Sequence, residues 1–142
     1  MRTTLNKIRA HDPCADGWAK LLAHLHKIKA DDEPLDLLTI LDSNGMDDTL
    51  WCFRAVEGCD KEMRLYAVWC ARQVQNLMKD QRSIDALDVA ERFAHGAATR
   101  KKLAAADAAA AAAWAAAGAA AGAAARAKQE KHLREILKEE GK

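Results

Sequence analysis

Between Ala104 and Ala127, 19 of 24 residues are alanine, and this run restricts the fold more than any other feature. Alanine has the best helix propensity and no polar side chain to compete with the backbone. Thr99 stands where a helix cap belongs. Past the run, Glu130 lies four residues before Arg134 and Lys131 four before Glu135, a spacing that supports helix by side-chain pairing. The pattern predicts one helix over 100–140, roughly 60 Å long at its full extent, with Gly118 and Gly122 as possible breaks. A globule of 142 residues is only roughly 37 Å across. The helix must therefore overhang, break or pair. Trp114, Gly118, Gly122 and Arg126 recur every four residues. Small residues in such a row let backbones approach closely, and Leu133, Ile136 and Leu137 add an apolar patch near the end. A homodimer through 100–140 is the use this row predicts, with Trp114, Gly118 and Gly122 in the contact.

The remaining sequence also reads as helix. Two prolines and seven glycines leave few interruptions, and no alternating apolar pattern of useful length appears. Asp12-Pro13 reads as a cap followed by a first helical proline. Trp18, Leu21, Leu22, Leu25 and Ile28 then form one stripe. Asp31-Asp32-Glu33-Pro34 reads as the acidic start of a second helix, closed by Asn44-Gly45. Asp47 restarts a short helix that Gly58 ends. Asp60 opens a helix with Met63, Tyr66, Ala67, Cys70, Val74 and Leu77 on one face, and Trp69 is expected in the core. Ser83 reads as the next cap and Gly96 as its stop. The expected fold is all-α: a multi-helix globular domain over 1–99, then one long alanine-rich C-terminal helix over 100–142 with a charged end.

Charge separates the same two parts. Residues 1–99 hold 13 basic and 16 acidic residues, a net of −3, and residues 100–142 hold nine and five, a net of +4. The whole chain is at +1, so bulk charge recruits neither nucleic acid nor an anionic membrane. Four cysteines without an amino-terminal signal-peptide pattern read as reduced thiols of a cytoplasmic protein.

No motif dictates a chemistry. His11, Cys14, His24, His26, Cys52 and Cys59 are metal-ligand types, but they lack the two close pairs of a structural zinc site. His24 and His26 diverge by about 200° on a helix. Asp42-Ser43-Asn44-Gly45-Met46-Asp47-Asp48 hints at a calcium loop. With Gly45 at its sixth position, Ile40 would stand first and Trp51 twelfth, so the match fails. Cys59 before Asp60 could be an activated thiol, yet no histidine is near in sequence. Ala108–Ala125 is uncharged, but alanine does not drive membrane insertion as leucine does. Arg100, Lys101 and Lys102 oppose the dipole of the helix they begin, a local cost that makes them candidates for a partner contact. No catalytic, metal or cofactor-binding residue is assigned.

Leu38-Thr-Ile-Leu-Asp-Ser-Asn-Gly45, Leu50-Trp-Cys-Phe-Arg-Ala-Val56, Leu65-Tyr-Ala-Val-Trp-Cys-Ala-Arg-Gln-Val-Gln-Asn-Leu77 and Ala86-Leu-Asp-Val-Ala-Glu-Arg-Phe-Ala-His-Gly96 stand before an alanine/tryptophan tail. Together they resemble the alanine-rich family of immunity proteins from bacteria and their phages, over most of 35–126. The chain departs from that pattern at Arg100-Lys101-Lys102, where acidic residues are usual, and in having one tail tryptophan, Trp114. The resemblance implies an all-α, non-enzymatic protein that neutralises a toxin by covering its surface. A phage-encoded antagonist of host defence, against CRISPR or restriction, is the alternative. Either needs a protein target and no cofactor.

Overall fold

The computed structural model describes residues 1–78, 81–104 and 122–139. In chain order the elements are β1 (Arg2–Thr3), α1 (Leu5–Arg9), α2 (Ala15–His24), β2 (Leu35–Asp36), α3 (Leu37–Asn44), α4 (Met46–Cys52), α5 (Asp60–Arg72), α6 (Gln81–Ala94) and α7 (Ala123–Glu139). A helical turn over 100–104 precedes the undescribed stretch. Two compact units emerge, one of Met1–Cys59 with Leu133–Lys142, the other of Asp60–His132. This division follows packing, whereas the one at Thr99 follows composition, and the two do not coincide.

In the first unit, β1 and β2 pair antiparallel, with Arg2 opposite Asp36 and Thr3 opposite Leu35. This pairing occupies residues just past Pro34, so the acidic run before it does not open a helix directly. Thr3 is buried, and its hydroxyl donates to the Ala55 carbonyl at 2.5 Å. Thr4 caps α1 by accepting from the Lys7 amide at 3.2 Å. Asp12 does not cap α2. It takes a left-handed φ of 54°, and Cys14 stands at the cap without a side-chain bond. At the other end of α2, His26 is also left-handed, at φ 54°. Its amide donates to Ala23 and that of Lys27 to Leu22, the paired bonds that close a helix. The stripe therefore stops short of Ile28, which is 97% exposed. Leu5, Ile8, Leu37, Ile40, Leu133 and Leu137 are all fully buried. Arg134 of α7 pairs with Asp42 of α3 at 2.6 Å.

In the second unit, α5 packs along α6. Tyr66, Val68 and Ala71 are buried on α5, and Ser83, Ala86 and Leu87 on α6. Arg72 pairs with Asp88 at 2.7 Å and Glu91 at 2.6 Å. Ser83 is no cap, because α6 begins two residues earlier at Gln81. Gly96 does stop the helix, at φ 73°, with the Ala97 amide donating to Arg92. Trp69 is half-buried rather than central. Its indole stacks on His132 at 4.1 Å, while the Tyr66 hydroxyl donates to the Gln129 carbonyl at 3.3 Å.

The described residues are thus mostly helical with one two-stranded sheet, but a single helix over 100–140 is not what they show. Gly122 lies outside α7, and its carbonyl accepts from Ala125 and Arg126 as the helix begins. The row Trp114, Gly118, Gly122, Arg126 is therefore not one helical stripe. An α-helix needs every amide to find the carbonyl four residues back, and glycine is the weakest helix former in this run. Trp114 and Gly118 lie outside the described residues.

Candidate functional site

Three helices of the first unit surround a cavity of about 260 Å³. Cys14, Gly17, Trp18 and Leu21 line it from the start of α2, at spacings of three and four that place them on one helical face. Ile40 and Asn44 face it one turn apart on α3. The pairs Asp47/Trp51 and Asp48/Cys52 face it from α4, again at a spacing of four. Ile8 and Pro13 complete the wall.

Polar contacts hold this arrangement together. Asn44 Nδ2 donates to the Gly17 carbonyl at 2.8 Å and to Asp48 Oδ2 at 2.7 Å. The Ser43 hydroxyl donates to Asn44 Oδ1 at 2.7 Å, which orients the amide. Gly17 permits the close approach, since a Cβ there would stand 2.7 Å from Asp48 Oδ2 and 3.1 Å from Cys14 Sγ. The Arg9 guanidinium lies over the Trp18 ring at 5.4 Å, and that of Arg54 over Trp51 at 4.3 Å. Such contacts stabilise by about 0.5–1 kcal/mol where exposed, so each indole has a partner restraining it. Neither arginine lines the cavity.

The thiols divide by environment. Burial, with a smaller push from the Asp48 charge, raises the Cys52 thiol to about 12. Burial also raises Cys70. Cys59 is buried, and its sulfur lies 3.6 Å from the Val56 carbonyl and 3.9 Å from that of Phe53. Its thiol is therefore turned to backbone acceptors rather than to a histidine base. Cys14 is exposed. A thiol-specific reagent at pH 8 should label Cys14 first, and Cys52 and Cys59 only on unfolding; rapid labelling of Cys52 in the native protein would contradict its burial. Below the ordinary thiol value of 9.0, Cys52 keeps its proton folded or unfolded, and its stabilising contribution is complete. That contribution is lost as pH rises from 9.0 to about 12, because only the unfolded thiol ionises over that range. Cys52→Ala should make the alkaline fall in stability shallower, by on the order of 1 kcal/mol per pH unit, as read by urea unfolding at successive pH values.

The sequence-predicted contact residues lie elsewhere. Arg100, Lys101 and Lys102 share one exposed helical turn, capped by Thr99 Oγ1 accepting from the Lys102 amide at 3.3 Å. Gly122 is exposed with open space around it. The cavity itself was missed, although Cys14-x-x-Gly17-Trp18-x-x-Leu21 carries the one-face spacing. What that spacing omits is the opposing wall, which depends on the angle between α3 and α4.

Among the described residues, no three histidine, cysteine, aspartate or glutamate side chains gather as a metal site. None of their helices is long and apolar enough to cross a membrane. No protein-family model, curated protein or solved structure matches the chain.

Proposed function

We propose that the chain is a small non-enzymatic inhibitor that binds a cytoplasmic protein and covers its functional surface. The observation that carries this reading is the cavity between Trp18 and Trp51, which is lined largely by apolar side chains and held by hydrogen bonds among its own walls. Interfaces concentrate their energy where an anchor side chain enters a desolvated pocket, with tryptophan prominent among the residues involved. The exposed Arg100, Lys101 and Lys102 supply a second, charged contact, which steers association more than it adds affinity. Blockade needs shape and charge complementarity and no reacting group. The resemblance to immunity proteins makes a toxin the first target.

The test is capture from the native host with the full chain, followed by mixing with the captured protein. A stoichiometric complex on gel filtration, with the captured protein's activity suppressed, supports the reading. Light scattering on the same run reads whether the chain enters as a monomer or as the homodimer. A captured nuclease or pore former identifies a toxin inhibitor, and a restriction or CRISPR component identifies an antagonist of host defence. Turnover of a captured protein or small molecule by the chain alone would replace inhibition with catalysis.

A further inference from the structure

We infer that the first unit's cavity receives one basic side chain of the protein partner, an ammonium or guanidinium group on a three- or four-carbon stem. The inference rests on the inhibitor reading only for the source of that cation; its chemistry is argued from the walls.

Size comes first. At about 260 Å³ the cavity falls below the roughly 300–1,000 Å³ of sites for drug-sized ligands, and suits a single side chain. Charge comes second. The formal charges on the lining are the carboxylates of Asp47 and Asp48, with no lysine, arginine or histidine among them. Asp48 is half-buried and takes part in no ion pair among the described residues; it accepts from the Asn44 amide. An anion entering here would meet two negative groups. A neutral apolar group would strip water from Asp48 and return no hydrogen bond, which is costly. A cation offsets that loss. Aromatic faces come third. Trp18 and Trp51 already attract guanidinium groups from Arg9 and Arg54, as the indole quadrupole predicts. Leu21 and Ile40 provide an apolar floor along which an alkyl stem packs while its charged head reaches a polar rim.

The experiment titrates the ¹⁵N-labelled full chain with n-butylguanidinium and, separately, with n-pentanol, a neutral chain of similar length. Indole N–H signals of Trp18, Trp51 and Trp69 are assigned through single Trp→Phe variants. Saturable shifts at Trp18 and Trp51 with the cation, at an affinity about tenfold above that for pentanol, are the expected result. Asp48→Asn keeps the side-chain shape and an acceptor for Asn44, and should weaken the cation about tenfold, or about 1.4 kcal/mol. Gly17→Ala, which pushes a Cβ against Asp48 Oδ2, should weaken it as well. Equal binding of pentanol, an unchanged affinity in Asp48→Asn, or shifts centred on Trp69 would overturn the inference. Nα-acetyl-arginine amide should bind more tightly than free arginine if the source is a protein. The reverse order would overturn that source in favour of a free metabolite. Binding of the blocked arginine without any captured partner would count against the inhibitor reading while supporting the cation chemistry, so the two failures are distinguishable.

Discussion

Leu133→Ala should lower stability by about 3–4 kcal/mol, within the range measured for emptying a fully buried leucine site. Leu133 is 0% exposed and Leu137, one turn on, is 1% exposed. Both belong to the first unit, although about 75 residues or more separate them from the rest of it. Removing three methyl and methylene carbons takes away their transfer energy and leaves a void that helical backbone closes only in part. A domain of this size is stable by about 5–15 kcal/mol, so one such change is a large fraction. Ile136, half-buried between them in sequence, is the control, and Ile136→Ala should cost roughly half as much. Urea unfolding measures both, with the midpoint moving and the slope preserved. A loss below about 1 kcal/mol for Leu133→Ala would mean that this leucine does not sit in a packed core.

That contact shows where sequence reading reached and where it stopped. Leu133, Ile136 and Leu137 are legible as an apolar patch because helical spacing is local. Which surface they fill is not local, and the patch was assigned to a dimer. Stops written in glycine were read correctly: Gly45 and Gly96 both take positive φ and end helices. His26 does the same work with a side chain that rarely adopts that conformation, so α2 was carried on to Ile28. Leu35-Asp36 was read as helix because a two-residue strand has no periodicity of its own. Its pairing with Arg2-Thr3 is a decision made 33 residues away. The cavity follows the same rule. Its α2 face is visible in the spacing of Cys14, Gly17, Trp18 and Leu21, but its enclosure depends on a turn whose angle the residue pattern does not report.

That turn is Gly45, and Gly45→Ala should cost about 2 kcal/mol. No residue separates α3 from α4 except this one. Its amide closes α3 on Leu41, and its carbonyl opens α4 by accepting from the Thr49 amide at 3.2 Å and the Thr49 hydroxyl at 2.8 Å. The backbone stands at φ 92°, ψ −177°, a region essentially reserved for glycine, where other residues store about 1–3 kcal/mol of strain. An added Cβ would meet nothing within 4 Å. The cost is therefore one of backbone conformation, without collision. Asparagine should not rescue it, because its tolerance is for the left-handed helical region near ψ of about +47°, far from this ψ. D-Alanine, placed by chemical synthesis, provides the opposite test. For a D-residue the mirror position is ordinary extended backbone, so stability should return to that of glycine or slightly above. The same series reads function. Asn44 and Asp48, joined across this turn at 2.7 Å, form one wall of the cavity. Gly45→Ala should weaken butylguanidinium binding together with stability, and D-alanine should restore both. Full stability in the L-alanine variant would show that the turn tolerates a side chain and that the angle between α3 and α4 is set elsewhere.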